Sequence, residues 1–200
     1  MAKTVMTPIG VLNFANLFEP RAYENGKPRF SCILLFDKLA TQSTAYQALR
    51  AGVMEAATEK WGAAKASDAS FMRSIRLPFR PAAEKDYAGF DKGEIYISPW
   101  SNADQKPGII DLHGNKIEVP SDVWAGQLAR ATVRPFAYDT SGNKGVAFGL
   151  EHVQIVKADM ERLDGRRDAS SAFAGADNSD LARYGVDPNA PAAAPDSLPF

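Results

Sequence analysis

A long β-hairpin in the second half of the chain is the feature that most constrains its fold. Two extended apolar runs, 124–138 and 146–157, are separated by the turn-forming segment 139–145, which reads Asp-Thr-Ser-Gly-Asn-Lys-Gly. Asp, Asn and Gly favour chain reversal there because they tolerate positive φ or accept local hydrogen bonds. A hairpin of this length needs further strands or a helix to cover its apolar face. The sequence therefore predicts an antiparallel sheet built around residues 124–157.

Shorter extended segments precede this hairpin. Residues 4–18 form a long run that we expect to bend at Pro8-Ile9-Gly10. Residues 29–36 are apolar on both faces of the predicted strand, which is typical of a strand covered on both sides. A short strand is predicted at 94–98, and two more, 109–112 and 116–119, flank the turn His113-Gly114-Asn115. Residues 67–92 lack a regular period and are interpreted as a long loop.

One segment carries a helical pattern. Within residues 42–64, apolar side chains recur at helical spacing, and Thr41 or Ser43 can cap the first turn; the apolar positions are Ala45, Leu49, Val53, Ala56, Ala57 and Trp61. The order is strands, one helix, then strands. This order predicts a mainly β fold, an antiparallel Greek-key barrel of the OB type with one packed α-helix closing one end.

The last part of the chain differs from the rest in composition. Residues 164–200 are dominated by Ala, Asp, Ser, Gly, Asn and Pro, a composition that buries little apolar surface. They carry six Asp against three Arg, whereas residues 1–163 carry 20 Lys and Arg against 18 Asp and Glu. We therefore expect a folded, mildly basic domain over 1–163 and a disordered, mildly acidic tail over 164–200.

The sequence lacks the usual marks of an enzyme. The single cysteine, Cys32, lies in an apolar run and is interpreted as a small buried side chain, and the two histidines, His113 and His152, have no metal-ligand spacing around them. No glycine-rich phosphate loop or nucleophile motif is evident. These observations favour a binding protein without metal or cofactor. The absence of a signal peptide or a long apolar run predicts an intracellular protein without a membrane span.

The feature that favours a particular ligand is a set of basic residues interleaved with aromatic ones. One stretch is 72–80, a second is 96–100 with Lys92 and Lys106 nearby, and a third is the strand through Arg130. Alternation on that strand places Arg130, Thr132, Arg134, Phe136 and Tyr138 on one face. Guanidinium groups beside rings suit single-stranded nucleic acid, because cations contact phosphates and unpaired bases stack on the rings.

Several motifs in the folded part resemble one known family. They are the segments 6–14, 16–20, 124–126, 131–139 and 142–154. They resemble the phage single-stranded DNA-binding protein family, whose members are related in fold to the T7-like phage single-stranded DNA-binding protein. The resemblance covers roughly 1–167. It implies an OB-fold and non-sequence-specific binding of single-stranded DNA in phage replication, recombination or repair, in the cytoplasm of the infected bacterial host. The T7-like relatives also suggest a homodimer.

The end of the tail carries a second resemblance. Asp196-Ser197-Leu198-Pro199-Phe200 is similar to the acidic tip of bacterial single-stranded DNA-binding proteins, which recruits replication and repair enzymes. Here Ser197 stands where that tip has an acid, and the dense acidic run is missing. Asp196, Leu198, Pro199 and Phe200 are therefore expected to dock into the pocket of a replication or recombination protein.

The predicted DNA site follows from these patterns. We expect a groove whose floor is strand faces and whose rim is the 67–92 loop. The candidate stacking residues are Phe79, Tyr96, Trp100 and Tyr138, and the candidate phosphate-binding residues are Arg76, Arg80, Lys106, Arg130 and Arg134. The alternative is a phage assembly or scaffold protein that uses the barrel and tail for protein contacts only.

Overall fold

The computed structural model describes residues 3–22, 26–140, 142–163 and 165. Within these residues the fold is mainly β, with strands β1 (Val5–Met6), β2 (Gly10–Arg21), β3 (Arg29–Phe36), β4 (Arg80–Pro81), β5 (Ile95–Ile97), β6 (Trp100–Asn102), β7 (Gly108–Ile110), β8 (Leu128–Thr140) and β9 (Asn143–Lys157). The helices are α1 (Lys38–Gln42), α2 (Thr44–Trp61), α3 (Ala63–Ser67) and α4 (Ala69–Ser74).

Five of the strands close into a barrel. β8 pairs with β2, β2 with β3, β3 with β6, β6 with β9, and β9 pairs back to β8. Closure of this kind leaves no free edge within the ring. The mainly β, OB-like architecture predicted from the order of elements is therefore confirmed. The predicted hairpin is the longest pairing, from Leu128 opposite Lys157 to Thr140 opposite Asn143.

The sequence pattern predicted a wholly antiparallel sheet, and this prediction is wrong for two strand pairs. β6 and β7 both run parallel to β9, with Trp100 opposite Gly149 and Ile109 opposite Val153. Turn residues indicate only which neighbouring strands pair, whereas these parallel pairs join residues 44 to 49 positions apart in the chain. That non-local pairing decides the direction of β6 and β7.

Helix α2 matches the predicted helix closely. The side chain of Ser43 accepts a hydrogen bond from the backbone N–H of Tyr46 at 3.2 Å, which makes Ser43 the N-cap. The buried face comprises Tyr46, Leu49, Val53, Ala56 and Ala57 and packs mainly on β8. A Cβ at Gly52 would lie 2.8 Å from the Pro135 ring, so glycine allows the close approach of α2 to β8.

Residues 67–92 are more ordered than the predicted loop. They contain α4, β4 and two short 3₁₀ turns, Ala82–Glu84 and Phe90–Lys92. Asp68 caps α4 by accepting a hydrogen bond from the Ser70 N–H at 2.8 Å. Elements of two to six residues are too short to show a period, so the sequence pattern did not reveal them.

A chain of aromatic rings runs through the core. Phe36 contacts Tyr46, Tyr46 contacts Phe79, and Phe79 contacts Phe148, with ring centroids 5.3–6.2 Å apart. We call these four residues the core aromatic cluster. Cys32 is only 1% exposed, which confirms its interpretation as a buried side chain. Burial raises the pKa of its thiol to about 12, so the thiol stays protonated.

Apart from Gly165, residues 164–200 lie outside the described residues. The predicted disorder of this tail, the division of the chain at residue 163/164 and the docking motif Asp196–Phe200 stay predictions. No helix among the described residues is long and apolar enough to cross a membrane.

Candidate nucleic-acid interface

An open groove of about 480 Å³ is lined by residues of several barrel strands. Its floor comes from β3, β6 and β9, and residues 77–87 form one rim. This segment belongs to the predicted 67–92 rim. We call this surface the main groove; its aromatic and basic lining residues are Phe14, Arg29, Arg80, Lys85, Tyr87, Tyr96, Trp100 and Phe148.

Trp100 and Arg29 form the best-defined contact in the main groove. β3 and β6 are antiparallel, with Ser31 opposite Trp100 and Arg29 opposite Asn102. This pairing places the guanidinium carbon of Arg29 3.9 Å from the centroid of the Trp100 ring. Trp100 and Phe136 also form a T-shaped pair, with 5.8 Å between ring centroids. A cation stacked on a half-exposed indole can contact a phosphate while the ring offers a surface to a base.

A second pair of rings lies elsewhere on the main groove. The centroids of Phe14 and Tyr87 are 5.0 Å apart, with the ring planes at 67°. The exposed fractions of these two side chains are 42% and 47%. The ammonium of Lys85 lies 5.8 Å from the Tyr87 ring, so this pair also has a cation beside it.

Trp100 also borders a neighbouring depression of about 660 Å³. Its other lining residues include Lys106, Arg134, Phe136 and His152. Arg134 forms an ion pair with Glu151, and the ammonium of Lys106 lies 5.9 Å from the Phe18 ring. We call this surface the side depression. Because Trp100 lines both surfaces, a single strand can pass from one to the other across its ring.

The structure brings five of the nine predicted residues together around Trp100. Arg80 and Tyr96 line the main groove with it, while Lys106 and Arg134 line the side depression. The guanidinium of Arg80 lies 3.6 Å from the Glu84 carboxylate, and both side chains are about half exposed. Most of these cations therefore remain accessible to a phosphate.

Four predicted residues lie outside both surfaces. Arg130 donates a hydrogen bond to Gln154 at 2.7 Å and lines a different depression, beside the start of α2. The backbone of Arg76 bridges to Gly145, and Tyr138 is half-buried in the β8–β9 hairpin. Phe79 belongs to the core aromatic cluster. The alternation on β8 is observed as predicted, but a long strand on a curved barrel carries its exposed face across more than one depression.

Two of the rings predicted to stack on bases, Tyr96 and Phe79, pack against other rings of the protein. Tyr96 is 7% exposed and packs on Phe90, with centroids 5.4 Å apart. Phe79 is held between Tyr46 and Phe148. Segment 82–92 folds back over β5 and covers the face that Tyr96 occupies. Trp100 is also partly buried, but its nearest cation, Arg29, is exposed and lies over its ring.

Sequence patterns missed Arg29, Phe14, Tyr87 and Lys85. Strand alternation could have found Arg29, because it shares a face of β3 with Ser31 and Ile33. Phe14 could not be found in this way, since the β2–β3 register shifts between Asn13 and Asn16 and breaks the period there. Tyr87 and Lys85 lie in a segment with no period at all.

The described residues contain no group of three or more His, Cys, Asp or Glu side chains that could hold a metal ion. The lining of the main groove and side depression includes aromatic rings, guanidinium groups and ammonium groups, which can bind anions and planar groups.

Comparisons with known proteins agree with this picture. The family model described as Enterobacter phage Enc34, ssDNA-binding protein, matches residues 3–182. No curated protein matches the sequence significantly.

Solved structures share the fold at low sequence identity. The single-stranded DNA-binding protein from bacteriophage Enc34 in complex with ssDNA is 17% identical, with a TM-score of 0.64 over 80% of this chain and 88% of that one. The Enc34 protein without the complex is 18% identical, with the same TM-score over 85% and 89% of the two chains. The gp2.5 single-stranded DNA-binding protein of bacteriophage T7 is 15% identical, with a TM-score of 0.55 over 84% and 99%.

Proposed function

The chain belongs to the family of the Enterobacter phage Enc34 ssDNA-binding protein, and we propose on this premise that it binds single-stranded DNA without sequence specificity. The single observation that supports this most strongly is the Trp100 ring with the Arg29 guanidinium 3.9 Å above it, in an open groove. Every base has a π-face, so stacking on Trp100 tolerates any sequence. Cations around the ring contact the backbone, which is the same for every sequence.

The path of the strand follows from the two surfaces that Trp100 joins. Arg29, Arg80 and Lys85 supply positive charge on the main groove, and Lys106 and Arg134 supply it on the side depression. We place the nucleotide that stacks on Trp100 at the junction. No part of this arrangement requires a metal, a cofactor or a catalytic group, and we propose that the protein acts as a binding protein rather than an enzyme.

The setting in which the protein acts is also a proposal. We propose that it coats single strands during phage DNA replication, recombination or repair in the cytoplasm of the bacterial host. This role fits sequence-independent binding, because DNA-processing enzymes expose single strands of every sequence. The family membership supports it, since the Enc34 and T7 proteins are both phage single-stranded DNA-binding proteins.

Fluorescence titration tests DNA binding directly. Trp61 and Trp124 lie outside the main groove and the side depression, so the W61F/W124F protein reports on Trp100 alone. We expect an oligo(dT) strand to quench its emission, an apparent affinity that falls with the logarithm of salt concentration, and much weaker binding of a duplex of the same length. Anisotropy of labelled oligo(dT) with the unaltered chain checks that the two Trp substitutions leave binding intact.

The outcomes separate this function from the alternative. Absence of both quenching and anisotropy change at low salt would refute DNA binding and favour a scaffold that uses the barrel for protein contacts. Affinity that does not depend on salt would contradict the electrostatic part of the proposal while leaving stacking in place.

The tail is proposed to recruit partners through its last five residues. Phe200 and Leu198 supply apolar groups, and Asp196 supplies negative charge, which suits a partner pocket lined by basic and apolar groups. We expect deletion of residues 196–200 to abolish capture of a replication or recombination protein from infected cells and to leave oligo(dT) affinity within about twofold. The matched control is a scrambled tip of the same composition; equal capture by the scrambled tip would contradict recognition of Leu-Pro-Phe.

A further inference from the structure

Phe14 adopts a backbone conformation that a bulky side chain rarely takes. Its φ is +46°, and it is the one non-glycine residue with positive φ among the described residues. In this left-handed region the Cβ atom of an L-residue crowds the following carbonyl oxygen, so the conformation is unfavourable for phenylalanine. Unfavourable backbone of this kind persists where surrounding contacts hold it, and it is concentrated at functional sites.

The side chain of Asn13 holds Phe14 in this conformation. Asn13 is 6% exposed, and its Oδ1 accepts a hydrogen bond from the Phe14 N–H at 2.9 Å. Its Nδ2 donates to the carbonyl oxygen of Ala88 at 3.1 Å, next to Tyr87 in the chain. One amide therefore fixes the bulge in β2 and ties it to the segment that carries Tyr87.

The strained conformation does not serve core packing. The Phe14 ring is exposed, and its closest ring partner is Tyr87, which is exposed as well. Phe14 and Tyr87 both line the main groove, and both also line a further depression of about 380 Å³ that contains Trp124. The two rings thus stand on the ridge between these surfaces, with apolar faces open to solvent.

We propose that Phe14 and Tyr87 form a second base-stacking subsite, distinct from the one at Trp100, and that Asn13 positions it. The ligand is an unpaired base of a single strand that crosses from the main groove towards the Trp124 depression. This inference rests on the proposed function, because it adds a contact point to the same DNA path. The Asn13 hydrogen bonds hold the strained backbone before any ligand binds, so the two rings are already in place for a base.

The test compares Phe14→Ala and Phe14→Gly with the control Leu39→Ala, which also removes an exposed apolar side chain. Each protein is titrated with oligo(dT) and with an abasic strand of the same length. We expect both Phe14 variants to bind oligo(dT) roughly 5- to 100-fold more weakly, with abasic affinity changed less than about twofold. Phe14→Gly should melt roughly 2–4 °C above Phe14→Ala, because glycine tolerates positive φ. Leu39→Ala should bind both strands as the unaltered chain does.

The Asn13→Ala variant tests whether the Asn13 amide positions the Phe14 and Tyr87 rings. We expect weaker oligo(dT) binding with unchanged abasic affinity, since loss of the amide frees the two rings without removing them. Equal losses on both strands would overturn the positioning role, because a purely structural defect does not distinguish bases from backbone.

Three results would overturn the stacking subsite. They are unaltered oligo(dT) affinity in Phe14→Ala, an equal loss on the abasic strand, or a lower melting temperature for Phe14→Gly than for Phe14→Ala. In each case the unaltered chain still binds oligo(dT), and the proposed function stands. Failure of the unaltered chain to bind would instead remove the proposed function itself.

Discussion

The molecule contains two sets of aromatic residues with similar contacts and different surroundings. In the core aromatic cluster, ring centroids lie 5.3–6.2 Å apart. On the main groove, Phe14 and Tyr87 lie 5.0 Å apart, and Trp100 lies 5.8 Å from Phe136 of the side depression. Ring-to-ring geometry therefore does not distinguish a core from a binding surface. What distinguishes them is that Phe14 and Tyr87 are exposed and that a cation lies beside Tyr87 and beside Trp100.

The difference follows from what each set of rings packs against. Rings of the core aromatic cluster link α2 to β3, β9 and the segment before β4, and one of them, the buried Phe148, also forms part of the main-groove floor. Arg29 and Lys85 accompany the main-groove rings instead. A guanidinium or ammonium beside an open ring is poorly suited to a core, because burying a charge is costly. The same arrangement suits a ligand that carries both phosphates and planar bases.

The largest effect is expected from Phe79→Ala, at a residue that sequence patterns assigned to DNA stacking. Because Phe79 packs between Tyr46 and Phe148, its truncation should lower the free energy of unfolding by about 2–4 kcal/mol. Oligo(dT) affinity, measured at a temperature where the variant is folded, should stay within about twofold. Urea denaturation and anisotropy titration measure the two quantities.

Tyr87→Ala is the matched aromatic truncation on the main groove. It should lower the free energy of unfolding by less than about 1 kcal/mol, since the ring is about half exposed. A Phe79→Ala protein that is as stable as the unaltered chain but binds DNA weakly would show that the comparison of the two ring sets is wrong at this position.

Arg29→Gln is expected to have a smaller effect, which is on the affinity for oligo(dT) and its salt dependence. Among the described residues, no carboxylate lies within ion-pair distance of Arg29, whereas Arg134 is paired with Glu151. Neutralising Arg29 should reduce the salt dependence of oligo(dT) binding by about 0.7 in the log–log slope, the value for one phosphate contact on a single strand. Affinity should fall severalfold.

Arg134→Gln and Arg50→Gln are the controls for this measurement. Arg134 already has a carboxylate partner, so its slope change should be smaller than that of Arg29. Arg50 is exposed on α2, away from the main groove and the side depression, and should change neither slope nor affinity. Equal slope changes in all three variants would indicate that charge acts through the net field rather than at the main groove.

The parts of the fold that were predictable are those with strong local signals. The turn residues predict the β8–β9 hairpin. The spacing of Leu49, Val53 and Ala57, together with the cap at Ser43, predicts α2. The short elements between residues 63 and 84 and the parallel pairing of β6 and β7 with β9 were not predictable. They depend on contacts between distant parts of the chain, and two to six residues carry too little periodicity to identify.

The site was predictable only in part, for the same reason. Trp100, Lys106 and Arg134 were predicted from composition and alternation, and the structure places all three on the side depression; their contact with DNA stays a prediction. Tyr96 was assigned to the DNA surface because alternation tells which residues share a face, but not what covers that face. Phe14 was missed because a bulge breaks the alternation at Asn13.

The sequence by itself determined that this chain forms a β-rich barrel with one long helix, and its family motifs pointed to single-stranded DNA. Local propensity and periodicity suffice for the strands and the helix, since they act over a few residues, whereas the link to single-stranded DNA came from the resemblance to a family. Only the tertiary structure decided which rings are open. Closure of the barrel and the return of segment 82–92 bury Tyr96, while the pairing of β3 with β6 stacks Arg29 on Trp100. These are non-local contacts, and exposure is a property of the packed chain rather than of any segment within it.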